Sequence, residues 1–357
     1  MKLIRPLLFF FLMAILGTLQ AQDIHYSLFN MSPLTMNPGL TGSFYGTVRV
    51  GGIYRGQWYN VSDATGFETP SFYADAPIVR GFRKNDWVGV GIAVFNDKAG
   101  SVKLRTNASL ISAAYHLGLG KDGNNVLTLG LQAGSVSRRF SQTRLELADQ
   151  WDATNGGFQS GTSMDNIAME GRNKGNYVDI GAGLLFRSKG KDGSLLELGA
   201  SFNHANQGDE SFLGSSGGTG TGGGNNKKEE NKRPYRITTH AKYEWMLNEK
   251  WSAAPTALFQ TTKGATEVAL QAWGGYLLKP EVPIKLNFGL GYRFGDAAQV
   301  LAGLDYKDLR VALSYDINTS PLNTATNYQG AFEIAAWYII KIFKDPEVKQ
   351  AILCPKF

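Results

Sequence analysis

Long stretches of strict alternation between apolar and polar residues constrain the fold more than any other feature of the sequence. In residues 284–295, IKLNFGLGYRFG, every second side chain is apolar and every intervening residue is polar or glycine. Residues 125–134 and 235–245 repeat the pattern. A period of two predicts β-strands with one apolar face. Segments of about ten residues exceed the usual globular strand and suit a tilted membrane crossing.

Similar segments recur along the chain and predict about fourteen strands. An even strand number is typical of bacterial outer-membrane barrels, whose alternating faces also keep the mean hydropathy low, here −0.19. We therefore expect an all-β fold, a transmembrane up-and-down antiparallel β-barrel. The predicted strands are 47–58, 71–79, 87–96, 102–118, 125–138, 177–187, 194–204, 235–247, 251–262, 265–279, 284–295, 298–306, 308–317 and 328–341.

The predicted connections alternate in length. The long ones, 59–70, 139–176, 205–234 and 318–327, are all odd-numbered, whereas the even-numbered ones are short turns such as GKDGNN and LNEK. In an up-and-down barrel the two sets lie at opposite ends, and outer-membrane barrels have short periplasmic turns and long outer loops. A soluble β-sandwich accounts for the strands but not for this segregation.

The N-terminus predicts export from the cytoplasm. Lys2 and Arg5 precede an apolar run of about eleven residues, which is too short to span a bilayer, and Ala21 offers a cleavage position. An uncleaved anchor is the alternative. We expect a signal peptide in 1–21, a non-strand periplasmic or lumenal segment in 22–46, the barrel in 47–341 and a tail in 342–357. The predicted location is the outer membrane of a Gram-negative bacterium.

Residue patterns that carry chemistry are sparse. The four histidines have no metal-ligand spacing, and the glycine-rich residues 218–227 lack the Gly-Lys-Ser/Thr of a phosphate-binding loop. No dense basic run marks a nucleic-acid site. We therefore expect no enzyme, no cofactor, no metal and no nucleic-acid partner. Polar-face charges should point into the lumen, where they form either an ion-paired interior or a substrate path: Arg49, Arg55, Lys103, Arg105, Lys242, Glu244, Lys285 and Arg293.

Four short motifs together resemble one family. They are QDIHYSLFNMSPLTMNPGLTG in residues 22–42, YRGQW in 54–58, ADQWD in 148–152 and the terminal CPKF in 354–357. In this order they are similar to the PorP/SprF family of type IX secretion system membrane proteins of Bacteroidetes, with Gly39 in place of the usual alanine and Lys356 in place of arginine. The motif positions, which are possible partner contacts, are Ser32, Pro33, Asn37, Pro38, Gly42, Tyr54, Arg55, Gln57, Trp58, Asp149, Gln150, Cys354 and Pro355.

The resemblance implies a non-enzymatic outer-membrane barrel that serves secretion or gliding motility. Such a barrel either anchors the periplasmic apparatus or partners the export of a large secreted surface protein. The implied partners are type IX secretion periplasmic components or a secreted adhesin, besides the outer-membrane lipid. The binding surfaces would be the long loops, the 22–46 segment or the tail. The alternative function is an outer-membrane channel or transporter of small or hydrophobic solutes.

Overall fold

The computed structural model describes residues 23–58, 66–80, 85–100, 102–120, 123–141, 150–152, 157–159, 173–210, 232–279 and 284–342. The predicted signal peptide and tail positions 343–357 lie outside these residues. The described strands are β1 (Val48–Gln57), β2 (Phe67–Arg80), β3 (Trp87–Ala99), β4 (Leu104–Leu119), β5 (Asn125–Arg139), β6 (Trp151–Asp152), β7 (Gly157–Phe158), β8 (Lys174–Lys189), β9 (Leu195–Asn203), β10 (Arg236–Met246), β11 (Trp251–Thr262), β12 (Ala265–Lys279), β13 (Ile284–Arg293), β14 (Ala297–Tyr306), β15 (Leu309–Asn318) and β16 (Gln329–Ile340).

Fourteen of these strands close into an antiparallel barrel, and β6 and β7 form a separate two-stranded sheet. Each barrel strand pairs with the next along the chain, β5 pairs with β8, and β1 closes the ring by pairing with β16 from Val48↔Ile340 to Gln57↔Ala331. Closure matters because it leaves no unpaired sheet edge. The prediction of an up-and-down barrel of about fourteen strands is confirmed.

The sequence prediction was wrong about where β2 begins. We expected the strand to start at residue 71, but it starts at Phe67 and runs through Pro70. Proline usually interrupts a sheet because it has no N–H to donate. Pro70 pairs with Tyr54 of β1 but has no register partner in β3. β2 therefore continues past Pro70 through its pairing with β1, whereas its pairing with β3 is interrupted at this residue.

The two faces of each barrel strand differ as the alternation requires. Large apolar side chains such as Phe72, Ile111 and Leu290 point outward and stay 65–67% exposed. Their neighbours along the strands, for example Ser71 and Ser112, are buried against the lumen. An apolar outer band around a polar interior is the arrangement of a transmembrane barrel.

The lumen holds the N-terminal segment, residues 23–46, which we call the lumenal segment. It contains a 3-10 turn at Phe29–Met31, helix α1 at Pro33–Met36 and a second 3-10 turn at Pro38–Leu40. Proline begins both α1 and the second turn, where its fixed φ suits a helix start. Helix α2, Asn323–Thr326, lies in the connection between β15 and β16. Among the described residues, no helix is long and apolar enough to cross a membrane.

The lumenal segment runs along the barrel axis. Asp23 contacts His204, which follows β9 at the end of the odd-numbered connections, here called the long-loop end. The Trp87 indole at the start of β3, at the opposite short-turn end, donates a hydrogen bond to the Gly42 carbonyl (3.0 Å). The described chain thus begins at the long-loop end of the lumen and turns into β1 at the short-turn end.

Three apolar clusters pack this segment against the wall. Leu28 lies with Ile53 and Leu301, and Leu34 lies between Tyr73 and Leu110. The third cluster joins Phe29, Met36 and Leu40 to Leu185, Leu258 and Ala269. Burial of one such side chain contributes about 1.5–3 kcal/mol. The lumen therefore contains a packed core, although the barrel interior is otherwise polar.

Candidate functional site: the lumenal segment and its wall

Ser27 lies at the centre of a buried charged cluster in the long-loop half of the lumen. Its amide donates a hydrogen bond to Glu333 Oε1 of β16 (2.7 Å), and the Leu28 amide donates to Glu333 Oε2 (2.7 Å). The Ser27 hydroxyl donates to the Asp316 carboxylate of β15 (2.7 Å). One carboxylate therefore holds two consecutive backbone amides of the segment, which fixes the direction of the chain at this point.

Two arginines neutralise these carboxylates. Arg55 of β1 pairs with Asp316 (3.2 Å) and with Glu333, and Arg293 of β13 pairs with Asp316. All four charged side chains are at least 96% buried. Buried charges are tolerated only when they are paired and hydrogen-bonded, so the cluster depends on its full set of partners. We call Ser27, Arg55, Arg293, Asp316 and Glu333 the Ser27 network.

A second charged cluster surrounds Asp23 at the long-loop end. The Asp23 carboxylate contacts Arg233 (2.7 Å), Arg236 (2.7 Å) and His204 (2.8 Å). Burial by itself raises the pKa of Asp23, but the two arginines and His204 outweigh it and hold the pKa well below its usual value. The start of the described chain is thus tied to the wall as an anion.

His25 lies between these clusters, with its Nε2 atom 3.2 Å from Arg55 Nη2. Burial, followed by the charges of Arg55 and Arg293, lowers the pKa of His25 well below its usual value. The imidazole is therefore neutral at physiological pH, so it adds no positive charge beside the two arginines.

The second half of the segment is bound mainly by neutral groups. The Asn37 side chain donates from Nδ2 to the Leu184 carbonyl of β8 (3.0 Å) and accepts the Gly39 amide at Oδ1 (2.8 Å). The Thr41 hydroxyl donates to Ser112 Oγ of β4 (2.8 Å). Asn37 and Thr41 are both fully buried. Because each polar atom has a specific partner, this half has one register against β4 and β8.

Glycines let the Asn-Pro-Gly turn approach the wall. A Cβ atom on Gly130 of β5 would overlap the backbone of Pro38 and Gly39, and one on Gly183 of β8 would overlap the Asn37 side chain. A glycine inside a strand often marks such a close backbone approach. These two positions therefore provide the space in which residues 37–39 lie.

Charged side chains of the wall secure the segment where it leaves the lumen, and Arg187 of β8 donates to the Ser43 hydroxyl there (2.7 Å). Asp75 of β2 accepts the Gly42 amide at Oδ2 (2.7 Å) and pairs with Arg49 of β1 (2.8 Å). Gly42 has a positive φ of 69°, and a side chain there would meet Gly89. The chain can consequently reverse at this point and begin β1.

Beside the segment, a cavity opens at the short-turn end. Its empty volume is about 620 Å³, part of which is open to solvent, and Leu28 and Met31 of the segment contribute to its lining. The remaining lining comes from strands β10 to β15, mostly from their halves nearer the short-turn end, and includes Lys242, Glu244, Trp273, Lys285 and Arg310. In the part of the chain that the structure describes, no group of His, Cys, Asp and Glu is arranged to hold a metal ion.

The predicted motif positions fall in three places. Ser32, Pro33, Asn37, Pro38 and Gly42 are buried in the lumen, where Arg55 and Gln57 also point. Tyr54 lies on the outward face of β1, Trp58 packs edge-on against Phe67 after that strand, and Gln150 is buried just before β6. Asp149, Cys354 and Pro355 lie outside the described residues. The role of all these positions in partner contacts stays a prediction.

The expectation that the 22–46 segment offers a surface to partners needs correction. Residues 26–29 and 31–34 are buried, as are 36–43. The apolar side chains and the paired charges described above are what hold them inside the barrel. The residues of this segment that remain partly exposed lie near its two ends, besides Asn30, which lines the cavity, and Thr35.

The lumenal charges were predicted in part. Arg49, Arg55, Arg293, Lys242 and Lys285 are ion-paired in the lumen, as an ion-paired interior requires. The prediction was wrong for two residues. Arg105 falls on the outward register of β4, and Lys103 lies in the turn before that strand with a positive φ of 50°. We had started β4 at residue 102, but it starts at Leu104, beyond the turn.

Sequence reasoning missed the acidic partners Asp75, Asp316 and Glu333, and it missed Asp23. Asp75, Asp316 and Glu333 each occupy the lumenal register of a strand with apolar neighbours, which is a signal that the alternation contains. A carboxylate on the inner face of a barrel strand needs a partner inside the lumen. That argument selects the acids but not the residues they bind.

Comparison with known proteins identifies the family. A family model described as type IX secretion system membrane protein PorP/SprF matches residues 18–338. The resemblance seen in the sequence motifs is thereby confirmed over most of the chain. A comparison with curated proteins found no match.

Solved structures with a similar barrel include three hydrocarbon transporters or channels. The CymD monoaromatic hydrocarbon channel has a TM-score of 0.48 and 11% identity, over 87% of this chain and 93% of that one. The toluene transporter TbuX of Ralstonia pickettii has a TM-score of 0.46 and 10% identity, over 87% and 94%. The toluene transporter TodX of Pseudomonas putida has a TM-score of 0.46 and 10% identity, over 90% and 94%.

Proposed function

Because the chain belongs to the PorP/SprF family of type IX secretion system membrane proteins, we propose that it serves this secretion by binding other proteins. In this proposal the barrel sits in the outer membrane and neither catalyses a reaction nor conducts solutes. The observation that carries the proposal is the lumenal segment, which runs from the long-loop end to the short-turn end and is bound along its length. A barrel filled in this way is suited to present surfaces at its two ends.

The strength of the attachment supports a binding role over a solute channel. To open the lumen, the segment would have to leave the Ser27 network and the pair formed by Arg49 and Asp75. The charged wall residues would keep one another as partners, but each step would take backbone amide donors away from buried carboxylates, and hydrogen bonds to charged groups contribute about 1.5–3 kcal/mol each. Three apolar clusters would be exposed at the same time. A channel would need a far more easily displaced segment.

The lengths of the connections assign a side to each end. Short turns lie in the periplasm and long loops outside in outer-membrane barrels, so the short-turn end would face the periplasm. The periplasmic partner would be a component of the secretion or motility apparatus. A secreted adhesin would bind at the long-loop end. Anchoring of the apparatus and partnership with a surface protein remain two forms of the same proposal.

Deletion of the gene in the native host tests this function. The secreted proteins are quantified by mass spectrometry in the deletion strain and in a strain complemented with the full chain. We expect proteins exported by type IX secretion to disappear from the medium or cell surface, or cells to lose gliding, and complementation to restore them. An unchanged set of exported proteins together with unchanged gliding would overturn the proposal.

A conductance measurement distinguishes the transporter alternative from the proposed binding role. The purified full chain is reconstituted in planar bilayers beside a variant that lacks residues 23–43. We expect the full chain to conduct little and the shortened chain to form pores, because removal of the segment empties the lumen. Steady conductance of the full chain would favour the solute channel.

A further inference from the structure

The lumenal segment forms part of the wall of the cavity at the short-turn end. Leu28, Asn30 and Met31 of the lumenal segment contribute to its lining, and the Gln271 amide, which also lines it, donates to the Ser27 carbonyl (2.7 Å). This segment is the one held by the Ser27 network. A ligand in the cavity would therefore lie against a fixed wall.

Among the described residues, the mouth of this cavity carries an excess of positive charge. Lys242 and Lys285 share one carboxylate, Glu244, at 3.0 and 3.2 Å. Arg310 is balanced by Asp305 (2.5 Å), and Glu197, the cross-strand neighbour of Lys242, is already paired with Arg187 (2.5 Å). One ammonium of the lysine pair therefore lacks its own counter-ion among these groups. An anionic group of a ligand would supply the counter-ion for this ammonium.

The interior of the cavity offers a different chemistry. Trp273, Ala254 and Ala312 join Leu28 and Met31 to form an apolar lining. Thr256 also lines the cavity and is 4% exposed.

From these features we infer that the cavity binds a peptide segment of a partner protein that carries an acidic side chain next to an apolar one. The acidic side chain lies at the mouth, between Lys242 and Lys285. The apolar side chain lies deeper, against Trp273. This inference rests on the proposed function, since it gives the short-turn end a protein partner.

The form of the rim favours a peptide over a free solute. The turn between β14 and β15 consists of Lys307 and Asp308 alone, and the turn between β10 and β11 covers only residues 247–250. These two described turns are thus only two and four residues long. A protein docked on this end could insert one loop.

A photo-crosslink in the native host tests the inference. A diazirine amino acid replaces Ala254 in the full chain, which is irradiated in living cells, and the adducts are sequenced by mass spectrometry. The matched control places the same group at Ala253, which points to the outer face of β11. We expect position 254 to capture a peptide of another protein with Asp or Glu within two residues of the crosslinked site, and position 253 not to capture it.

Variants that remove the lysine charges test whether the captured peptide is bound through its acidic side chain. The double variant Lys242→Gln/Lys285→Gln should reduce the adduct at least tenfold, whereas Lys250→Gln, an exposed lysine in a turn at the same end, should leave it unchanged. Heat-modifiable migration on gels verifies that each variant is folded. If the double variant misfolds, Lys285→Glu combined with an acid-to-lysine change in the captured peptide replaces it, and recovery of the adduct is expected.

Each other outcome has a defined meaning. Adducts confined to lipid, to a small carboxylate or to this chain itself overturn the inference, as does a peptide adduct that is insensitive to both lysines. Secretion is measured in the same strains, so the two proposals fail separately. Secretion that depends on the chain without such an adduct removes only the peptide site, whereas secretion and gliding that are unchanged by gene deletion remove the proposed function.

Discussion

The two halves of the lumenal segment are bound to the barrel wall by different kinds of interaction. Residues 23–31 are bound by charges, through Asp23 and its arginines and through Ser27 and Leu28 on Glu333. Residues 32–41 are bound mostly by neutral hydrogen bonds and by close packing of Asn37 to Gly39 on β5 and β8. The first half depends on a complete set of charges, and the second depends on shape. Changes in charge and changes in volume should therefore act on opposite halves.

The largest effect is expected from Glu333→Gln. The substitution keeps the shape of the side chain but removes one of the two carboxylates that neutralise Arg55, and it leaves one of the two amides of Ser27 and Leu28 without its acceptor. Loss of one partner of a buried pair costs about 3–5 kcal/mol. The free energy of unfolding, measured with urea in lipid vesicles, should fall by this amount.

Glu68→Gln is the matched control, because Glu68 pairs with Lys98 at 3.4 Å while 37% of its side chain is exposed. Exposed pairs contribute about 0–1 kcal/mol. Equal effects of the two substitutions would contradict the assignment of Glu333 as the main charged attachment of the first half.

A smaller effect is expected from Gly130→Ala in the second half. The new methyl group would overlap the backbone of Pro38 and Gly39, so the segment must shift or the barrel must distort. Overpacking of this kind costs about 1–3 kcal/mol. Gly274→Ala serves as the control, because the nearest atom to its added Cβ is 3.9 Å away. The same urea measurement should find the control unchanged, and a cost that depends on salt would point to charge in place of volume.

The smallest of the three effects is expected from Asp23→Asn. Arg233 keeps Glu210 (2.6 Å) and Arg236 keeps the Thr35 carbonyl (3.1 Å), so the loss should be about 1–2 kcal/mol. Since the folded pKa of Asp23 is lowered, its contribution is complete above the ordinary carboxyl pKa of about 3.9 and disappears as the pH falls through the lower folded value.

The pH dependence provides the readout for Asp23. The difference in unfolding free energy between the Asp23→Asn variant and the original chain should be constant from neutral pH down to about pH 5 and should shrink in stronger acid. A difference that grows in acid would contradict the ion-paired state of this carboxylate.

The barrel could be predicted from the sequence because its alternation is local. Ile284 to Arg293 shows which residues share a face without any knowledge of the neighbouring strands. Where the prediction was wrong, as at Pro70 and Arg105, the error came from the strand ends, where turn chemistry and pairing with a specific neighbour decide the register.

The contents of the lumen could be predicted only in outline. The prolines and the Asn-Pro-Gly turn of residues 37–39 indicated a non-strand segment, but not its path along the axis. Ser27 and Glu333 are 306 positions apart, and their pairing depends on barrel closure between β1 and β16. No local pattern encodes such a contact. Cavity residues such as Lys242 and Lys285 were recognised as lumenal, although their shared carboxylate requires the folded barrel.

Formation of an engineered disulfide tests most directly whether the segment fills the lumen. Thr41 Oγ1 lies 2.8 Å from Ser112 Oγ of β4, so the pair Thr41→Cys/Ser112→Cys, in a Cys354→Ser background, places two sulfurs within bonding reach. The matched control pairs Thr41→Cys with Ile111→Cys, the outward neighbour on the same strand, which is 65% exposed. We predict that outer membranes isolated from expressing cells contain the first pair oxidised, with a shifted band on non-reducing gels, and the second pair reduced. A reduced first pair in a folded barrel would contradict the account, because the segment would then lie elsewhere.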